Sequence, residues 1–272
     1  MPEIPEMETY RNMLVKTVVG KNITGADVNR LRSINIAPEQ FLPALTGQSI
    51  ENISRRAKYL VFHLRGGLYM ITHMMLDGRL YLGPTGLETG LPGKPHVILN
   101  FADNNSLYFC NLRLGYLHLL DQAEANSELA GLGIEPLSAD FTWETFAGIF
   151  RGRRGAIKPL LIDQKLIAGL GNAYSNEVLF AAGVLPDKAV PAIAENEMRN
   201  LWQAIPRVLQ EAIQNGGYIE EPYASWDDLS GGQIPHFMVY DRSGEPCKVC
   251  GTAIQGKKLG GRWTYYCSNC QR

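Results

Sequence analysis

Two cysteine pairs near the end of the chain constrain its folding more than any other feature. Cys247-x2-Cys250 and Cys267-x2-Cys270 are separated by sixteen residues and fall within the last 26 of 272. Paired cysteines at this spacing fit a four-thiolate tetrahedral zinc site rather than a secreted disulfide framework. A segment this short can bury almost no apolar core, so the metal must supply most of its folding energy. One structural zinc per chain is therefore expected on Cys247, Cys250, Cys267 and Cys270. The loop between the pairs carries Lys257, Lys258 and Arg262. From 242 to 272 there are six basic residues and one acid, Glu245, a net of +5. Four thiolates on zinc lower that to roughly +3.

The other end is equally distinctive: Met1-Pro-Glu-Ile-Pro-Glu-Met-Glu-Thr-Tyr10. Proline at position 2 is small enough for removal of the initiator methionine. Pro2 would then carry a secondary amine, of which on the order of a tenth is unprotonated at neutral pH. A free amine attacks electrophilic carbon to form an imine, and a secondary amine gives a charged iminium, an electron sink. Glu3 and Glu6 lie within a turn of it and could serve as general acid or base. The same residues also suit a plain helix start: proline at the first position, acids against the macrodipole. Met7, Tyr10, Leu14 and Val18 continue at helical spacing, and Gly20 fits the stop.

Charge argues from distribution rather than sum. The formal net charge is −1, which alone speaks against a polyanion partner. Basic residues nevertheless cluster at Arg55, Arg56 and Lys58, and at Arg151, Arg153, Arg154 and Lys158. Acids gather elsewhere, at Glu220, Glu221, Asp227 and Asp228. This segregation permits a nucleic-acid face on a nearly neutral protein. No apolar run approaches the ~20 residues of a membrane helix, and no signal peptide opens the chain. A cytoplasmic, bacterial-type protein is expected.

Residues 22 to 120 read as β structure, with segments near 49–55, 58–64, 68–74, 97–101, 106–110 and 115–120 separated by turn signals. That rhythm predicts an antiparallel sandwich. Lys58 begins a strand on the face of Leu60, Phe62 and Leu64; it is either solvated or aimed at a phosphate or reacting centre. His73-Met-Met-Leu-Asp-Gly78 and Asn111-Leu-Arg-Leu-Gly115 read as turns, either buried or presenting apolar wedges and Arg113 to a base stack. Residues 121–140 read as a linker. Helical patterns follow over 142–150, 157–163, 172–182 with Asn172 as N-cap, and 195–215 with Pro206 inside. A polar, aromatic-containing loop spans 218–236.

Taken together the chain resembles the formamidopyrimidine-DNA glycosylase and endonuclease VIII family over nearly its whole length. The resemblance rests on four separated motifs: Pro2 to Thr9; Lys58; Lys158 to Pro186, with Leu161-Ile-Asp-Gln164 and Gly169-Leu-Gly-Asn-Ala-Tyr174; and Gly244 to Gln271 with its cysteines. It implies an α+β fold of two domains. Residues 1–130 would form a β-sandwich with a catalytic N-terminal helix, and 131–150 a linker and first helix. Residues 151–236 would form a helix-two-turn-helix region with a lesion-capping loop, and 237–272 the zinc-finger hairpin.

The implied activity is base-excision repair: release of damaged bases from double-stranded DNA, with strand cleavage at abasic sites, by a monomer that touches no membrane. A damaged nucleotide would be flipped from the duplex. Pro2, Glu3, Glu6 and Lys58 carry over as catalytic residues, Lys58 also holding a phosphate. Lys158, Asn172, Tyr174 and Arg262 carry over as DNA contacts, Arg113 and Leu76 as groups entering the gap in the stack, and Glu177 as a supporting hydrogen-bond or capping residue. Met75-Leu76 replaces the family's Gly-Met, and the 111–115 turn lacks its aromatic wedge. These departures imply ring-opened or alkylated purines or oxidised pyrimidines, rather than 8-oxoguanine opposite cytosine. A catalytically weak damaged-DNA-binding protein is the alternative on the same fold.

Overall fold

The computed structural model describes residues 1–272. The chain divides into two compact units, one of residues 1–131 and 215–232, the other of 132–214 and 233–272. The 215–232 segment, expected within the helical region, thus packs in the N-terminal unit.

That unit opens with α1 (Ile4–Thr17), whose Met7, Tyr10 and Leu14 are buried as the spacing predicted, together with Met13. Gly20 follows at φ +83. The expected sandwich is present. One antiparallel sheet has the order β1-β6-β7-β5, from β1 (Ile23–Val28), β5 (Arg79–Pro84), β6 (Pro95–Phe101) and β7 (Asn105–Cys110). The other is β2-β3-β4-β8, from β2 (Ile50–Arg56), β3 (Tyr59–Leu64), β4 (Tyr69–His73) and β8 (Tyr116–Leu120). Alternation sends Leu60, Phe62 and Leu64 of β3 inward, where Phe62 meets Phe109 of the opposite sheet with ring centroids 6.2 Å apart. Burying each such side chain contributes roughly 1.5–3 kcal/mol, which is why a period-2 pattern dictates the layer.

Two differences from expectation have local causes. A short helix, α2 (Pro38–Leu45), interrupts the β region; its two prolines and eight residues leave a weak periodic signal, but Phe41 and Leu45 are buried in the core. The stretch 121–140 is not simply a linker. It contains α3 (Gln122–Leu129), started by a reciprocal capping box between Asp121 and Glu124. Ala125 of α3 packs with Val61, Ile71 and Leu120 on the outer face of the β2-β3-β4-β8 sheet.

The C-terminal unit contains α4 (Trp143–Phe150), α5 (Ile157–Leu161), α6 (Asn172–Ala182), α7 (Glu195–Gln214, with Pro206 inside), and the hairpin β9 (Gln255–Leu259) and β10 (Arg262–Tyr266). The double turn between α5 and α6 is knotted by Gln164: its side chain donates to Ile162 O and Leu170 O and accepts from Gly169 N. No helix is long and apolar enough to cross a membrane.

Candidate active site and metal centre

Pro2, Glu3 and Glu6 are all buried at the start of α1. Glu3 is the N-cap residue, and Glu6 Oε2 accepts its N–H at 2.8 Å. The second carboxylate oxygen of Glu6 accepts the Tyr218 N–H at 3.0 Å, across 212 residues of sequence. The Tyr218 hydroxyl donates to Met1 O at 2.7 Å. Gly217 allows this approach: it sits at φ +71, and a Cβ there would meet Glu6 Oε1 at 2.6 Å. Burial pulls the Met1 amine below its ordinary pKa, with the Glu3 charge opposing. Removal of Met1 would expose an amine at Pro2, one residue further in. Desolvation favours the neutral, nucleophilic form of such a group.

Lys58 is not on a strand. It occupies the two-residue turn between β2 and β3 and is only 6% exposed, so the solvated strand lysine is excluded. Its turn partner Ala57 stands at φ +52. Arg55 braces the turn to α1, donating to Glu8 Oε2 at 2.7 Å and to Ala57 O at 3.0 Å. His73, which sequence reasoning passed over as the start of a turn, pairs with Tyr59 across β3 and β4. Its Nδ1 accepts the Met75 N–H at 3.0 Å. The ring proton must then sit on Nε2, making that nitrogen a donor. Burial, and secondarily the Lys58 charge, push its pKa down to about 4, so the ring is neutral at physiological pH. The readable signal was the register of the β3–β4 hairpin, which brings His73 opposite the neighbour of Lys58.

The two candidate wedge turns are partly buried and partly presented. In the first, Met74 is buried, Met75 stands at φ +51 and Leu76 projects, 52% exposed. In the second, Asn111 stands at φ +54, Arg113 is exposed and Leu114 is 62% exposed. The turns pack on each other: a Cβ on Gly115 would lie 2.6 Å from His73 O. Leu76, Arg113 and Leu114 therefore project from adjoining turns.

In the C-terminal unit two expected DNA contacts are overturned. Lys158 is 1% exposed. Its ammonium donates to Asn172 Oδ1 (2.9 Å), Asn176 Oδ1 (2.9 Å) and Thr264 Oγ1 (2.8 Å), with Trp263 O at 3.3 Å. An ammonium has three N–H donors, so none remains for a phosphate; Lys158 instead fastens β10 to α5 and α6. Tyr174 is fully buried near Phe237, with ring centroids 6.1 Å apart, and is a core residue. Asn172 is half-buried at the first position of α6, where Gly171, not Asn172, is the N-cap. Arg262 is exposed at the start of β10, just after Gly260 and Gly261. Glu177 is buried and accepts the N–H groups of Met238, Val239 and Tyr240 at 2.8–2.9 Å. Burial raises its pKa against the pull of those three donors. It holds a backbone loop, which is a scaffolding role.

The four cysteine sulfurs lie within 4.8 Å of one another, with Cys250–Cys267 at 3.5 Å and Cys247–Cys270 at 3.9 Å. Tetrahedral Zn–S bonds of about 2.3 Å place sulfurs about 3.8 Å apart, so the donor set fits one structural zinc. Pro246 and Ala253 bridge across the first cysteine knuckle.

Sequence profiles match three parts of the chain: the formamidopyrimidine-DNA glycosylase N-terminal domain over residues 1–116, the formamidopyrimidine-DNA glycosylase H2TH domain over 132–222, and a zinc finger found in FPG and IleRS over 244–272. The chain is 38% identical over 277 residues to the formamidopyrimidine-DNA glycosylase of Shouchella clausii, covering 100% of this chain and 99% of the relative. It is 38% identical over 273 residues to that of Chloroflexus aurantiacus, covering 100% and 98%. Among solved structures, a mutant Lactococcus lactis FPG in complex with Fapy-dG containing DNA superposes with a TM-score of 0.92 at 33% identity, covering 100% of both chains. The Lactococcus lactis Fpg with an abasic site containing DNA gives 0.92 at 33% identity, covering 99% of each.

Proposed function

The chain belongs to the formamidopyrimidine-DNA glycosylase family and is a base-excision DNA glycosylase; from that premise we propose that Pro2, freed of Met1, is its nucleophile. The observation that carries this reading is the buried Pro2, with Glu3 beside it and Glu6 clamped to Tyr218. The Pro2 nitrogen lone pair forms a bond to the sugar C1′ as the C1′–base bond breaks, and the base leaves with a proton. Glu3 supplies acid and base help at the opening sugar. The iminium acidifies the C2′ proton; its removal expels the 3′ phosphate, and a second elimination expels the 5′ phosphate. Hydrolysis returns the free amine. Glu6 orients the amine through the Glu3 N–H.

DNA contacts are proposed for both units. In the N-terminal unit the proposed roles are phosphate contacts for Lys58 and the His73 Nε2–H, and for Leu76, Leu114 and Arg113 the filling of the gap left by an extruded nucleotide. Asn172 and Arg262, which flank the buried Lys158, are the proposed phosphate contacts of the C-terminal unit. The proposed substrates are ring-opened purines and abasic sites in duplex DNA, as in the complexes of the relatives. The zinc is structural and takes no part in the chemistry.

The test is borohydride trapping on an abasic-site duplex, with intact-mass analysis. An adduct mapped to Pro2, on protein lacking Met1, is expected. Tight DNA binding by processed protein with no adduct would sink the imine.

A further inference from the structure

Residues 215–232 are anchored to the rest of the N-terminal unit at both ends of a short stretch. At one end stand the Glu6–Tyr218 and Tyr218–Met1 bonds described above. At the other, Leu82 N donates to Tyr223 O at 2.7 Å beside a bridge from Leu82 to Ala224, and the Tyr223 hydroxyl meets Thr17 Oγ1 at 2.9 Å. Asp227 then folds the segment back, accepting from Tyr223 N at 2.8 Å.

Between these anchors lies one ion pair, Arg79 Nε to Glu221 Oε2 at 3.0 Å. Arg79 opens β5, and its Nη1 donates to Gly78 O at 3.0 Å, so its guanidinium rests on the turn that presents Leu76. The pair borders a polar cavity of about 170 Å³ lined by Asp77, Arg79, Asn111, Arg113 and Glu221. The two wedge turns supply Asp77, Asn111 and Arg113; Glu221 alone comes from the 215–232 segment.

The fold does not require this pair. Its side chains are 16% and 45% exposed, and ion pairs in that range contribute little to stability. The segment is already fixed on either side. What the pair does determine is where the Glu221 carboxylate stands. Arg79 Nε occupies one of about four lone-pair sites on that carboxylate, which leaves acceptors for N–H groups of a base, while the two guanidiniums offer donors for carbonyl oxygens. A ring-opened purine carries both kinds of group.

We infer that the Arg79–Glu221 pair is a latch that sets the Glu221 carboxylate against the extruded base, with Glu221 a specificity-determining residue and Arg79 a positioning residue. This rests on the function proposed above and names the side chains through which the base is read. An abasic sugar has no base for the latch to present, so base release depends on the latch more than imine formation does.

The test uses the full zinc-loaded chain with Met1 removed, as wild type, Glu221→Gln, Arg79→Gln and the exchanged double variant Arg79→Glu/Glu221→Arg. Each meets two duplexes of one sequence, carrying a formamidopyrimidine lesion or an abasic site. Single-turnover base release and borohydride trapping are measured together with melting temperature. Base release relative to trapping should fall about fivefold in each single variant, with melting nearly unchanged, and the exchanged pair, which restores the ion pair but puts a guanidinium where the base needs an acceptor, should not recover it. Normal trapping with an unchanged ratio in the single variants overturns the latch alone, as does an exchanged pair that regains the wild-type ratio. A wild type that traps nothing overturns the imine reading and the latch with it.

Discussion

In the N-terminal unit, the three turns that carry Lys58, Leu76 and Arg113 each hold a non-glycine residue at positive φ: Ala57 at +52, Met75 at +51 and Asn111 at +54. In the C-terminal unit, the bends that precede Asn172 and Arg262 use glycine: Gly169 at +89, Gly260 at +57 and Gly261 at +76. A left-handed alanine or methionine costs roughly 1–2 kcal/mol, which a tight surrounding structure must offset. The N-terminal unit can absorb that strain because a two-sheet core stands behind every turn. The finger has no such core. Its hairpin is held by four thiolates at one end and by the Lys158 ammonium at the other.

The strongest way to break this comparison is to remove the zinc. Chelation, or Cys267→Ser, should abolish the finger and DNA binding, because structural zinc supplies on the order of 10 kcal/mol of folding energy. Calorimetry should show the N-terminal unit melting as before. Unchanged affinity after verified metal loss would end the argument.

Next in size is Lys158→Met. Methionine there strands the acceptors of Asn172, Asn176 and Thr264, and a buried polar group left unsatisfied costs about 1–3 kcal/mol. The C-terminal unit should melt earlier, while the dependence of DNA affinity on salt keeps its slope. A slope reduced by about 0.9, the contribution of one phosphate contact, with unchanged melting would return Lys158 to the interface.

Acid should act on the N-terminal unit first, since burial lowers the pKa of His63, His73 and His96, all of which lie there. His73 falls from the ordinary 6.5 to about 4 on folding. Between those values the unfolded chain binds the extra proton. Its contribution to stability is therefore full above pH 6.5 and is lost as pH falls toward 4, by up to about 3 kcal/mol. Urea unfolding of the wild type and His73→Gln across that window should show the variant losing less; parallel curves would remove His73 from the account.

The smallest effects test strain itself, and they should have opposite signs. Ala57→Gly should stabilise the N-terminal unit by a few tenths of a kcal/mol, strain relief slightly exceeding the added chain entropy. Gly260→Ala should destabilise the finger by about 1 kcal/mol. Thermal melts of both would decide it, and a destabilised Ala57→Gly would mean the turn is not strained.

Much of the fold was legible because its signals are local. Alternation in Leu60, Phe62 and Leu64 placed a strand and its inward face; the Asn172–Ala182 helix was legible from its start, although the cap is Gly171 and not Asn172, and the Glu195–Gln214 helix from its pattern and the Gly216-Gly217 stop. The capping box of Asp121 and Glu124 was equally legible, yet lay inside a stretch read as linker. Arg79 to Pro84 alternates cleanly and is a strand, although only its flanking turn drew notice. Of the candidate site, Pro2, Glu3 and Glu6 were read from adjacency, and Leu76 and Arg113 from turn chemistry. Lys158 and Tyr174, carried over from the family's motif, were misplaced because a motif gives a residue's position in the chain and not the neighbours that close around it.

By itself, the sequence determined the zinc ligands, the helix that begins at the N-terminus and the sandwich behind it. Each depends on residues a few positions apart, whose geometry a single turn or pleat imposes. Tertiary structure alone decided that Glu6 reaches Tyr218 past Gly217, that Arg79 meets Glu221, and that Lys158 is saturated by acceptors from α5's neighbours and β10. Those partners lie from 14 to 212 residues apart. Whether a charge faces water or a full set of hydrogen bonds depends on which distant segments close around it, and no local pattern carries that information.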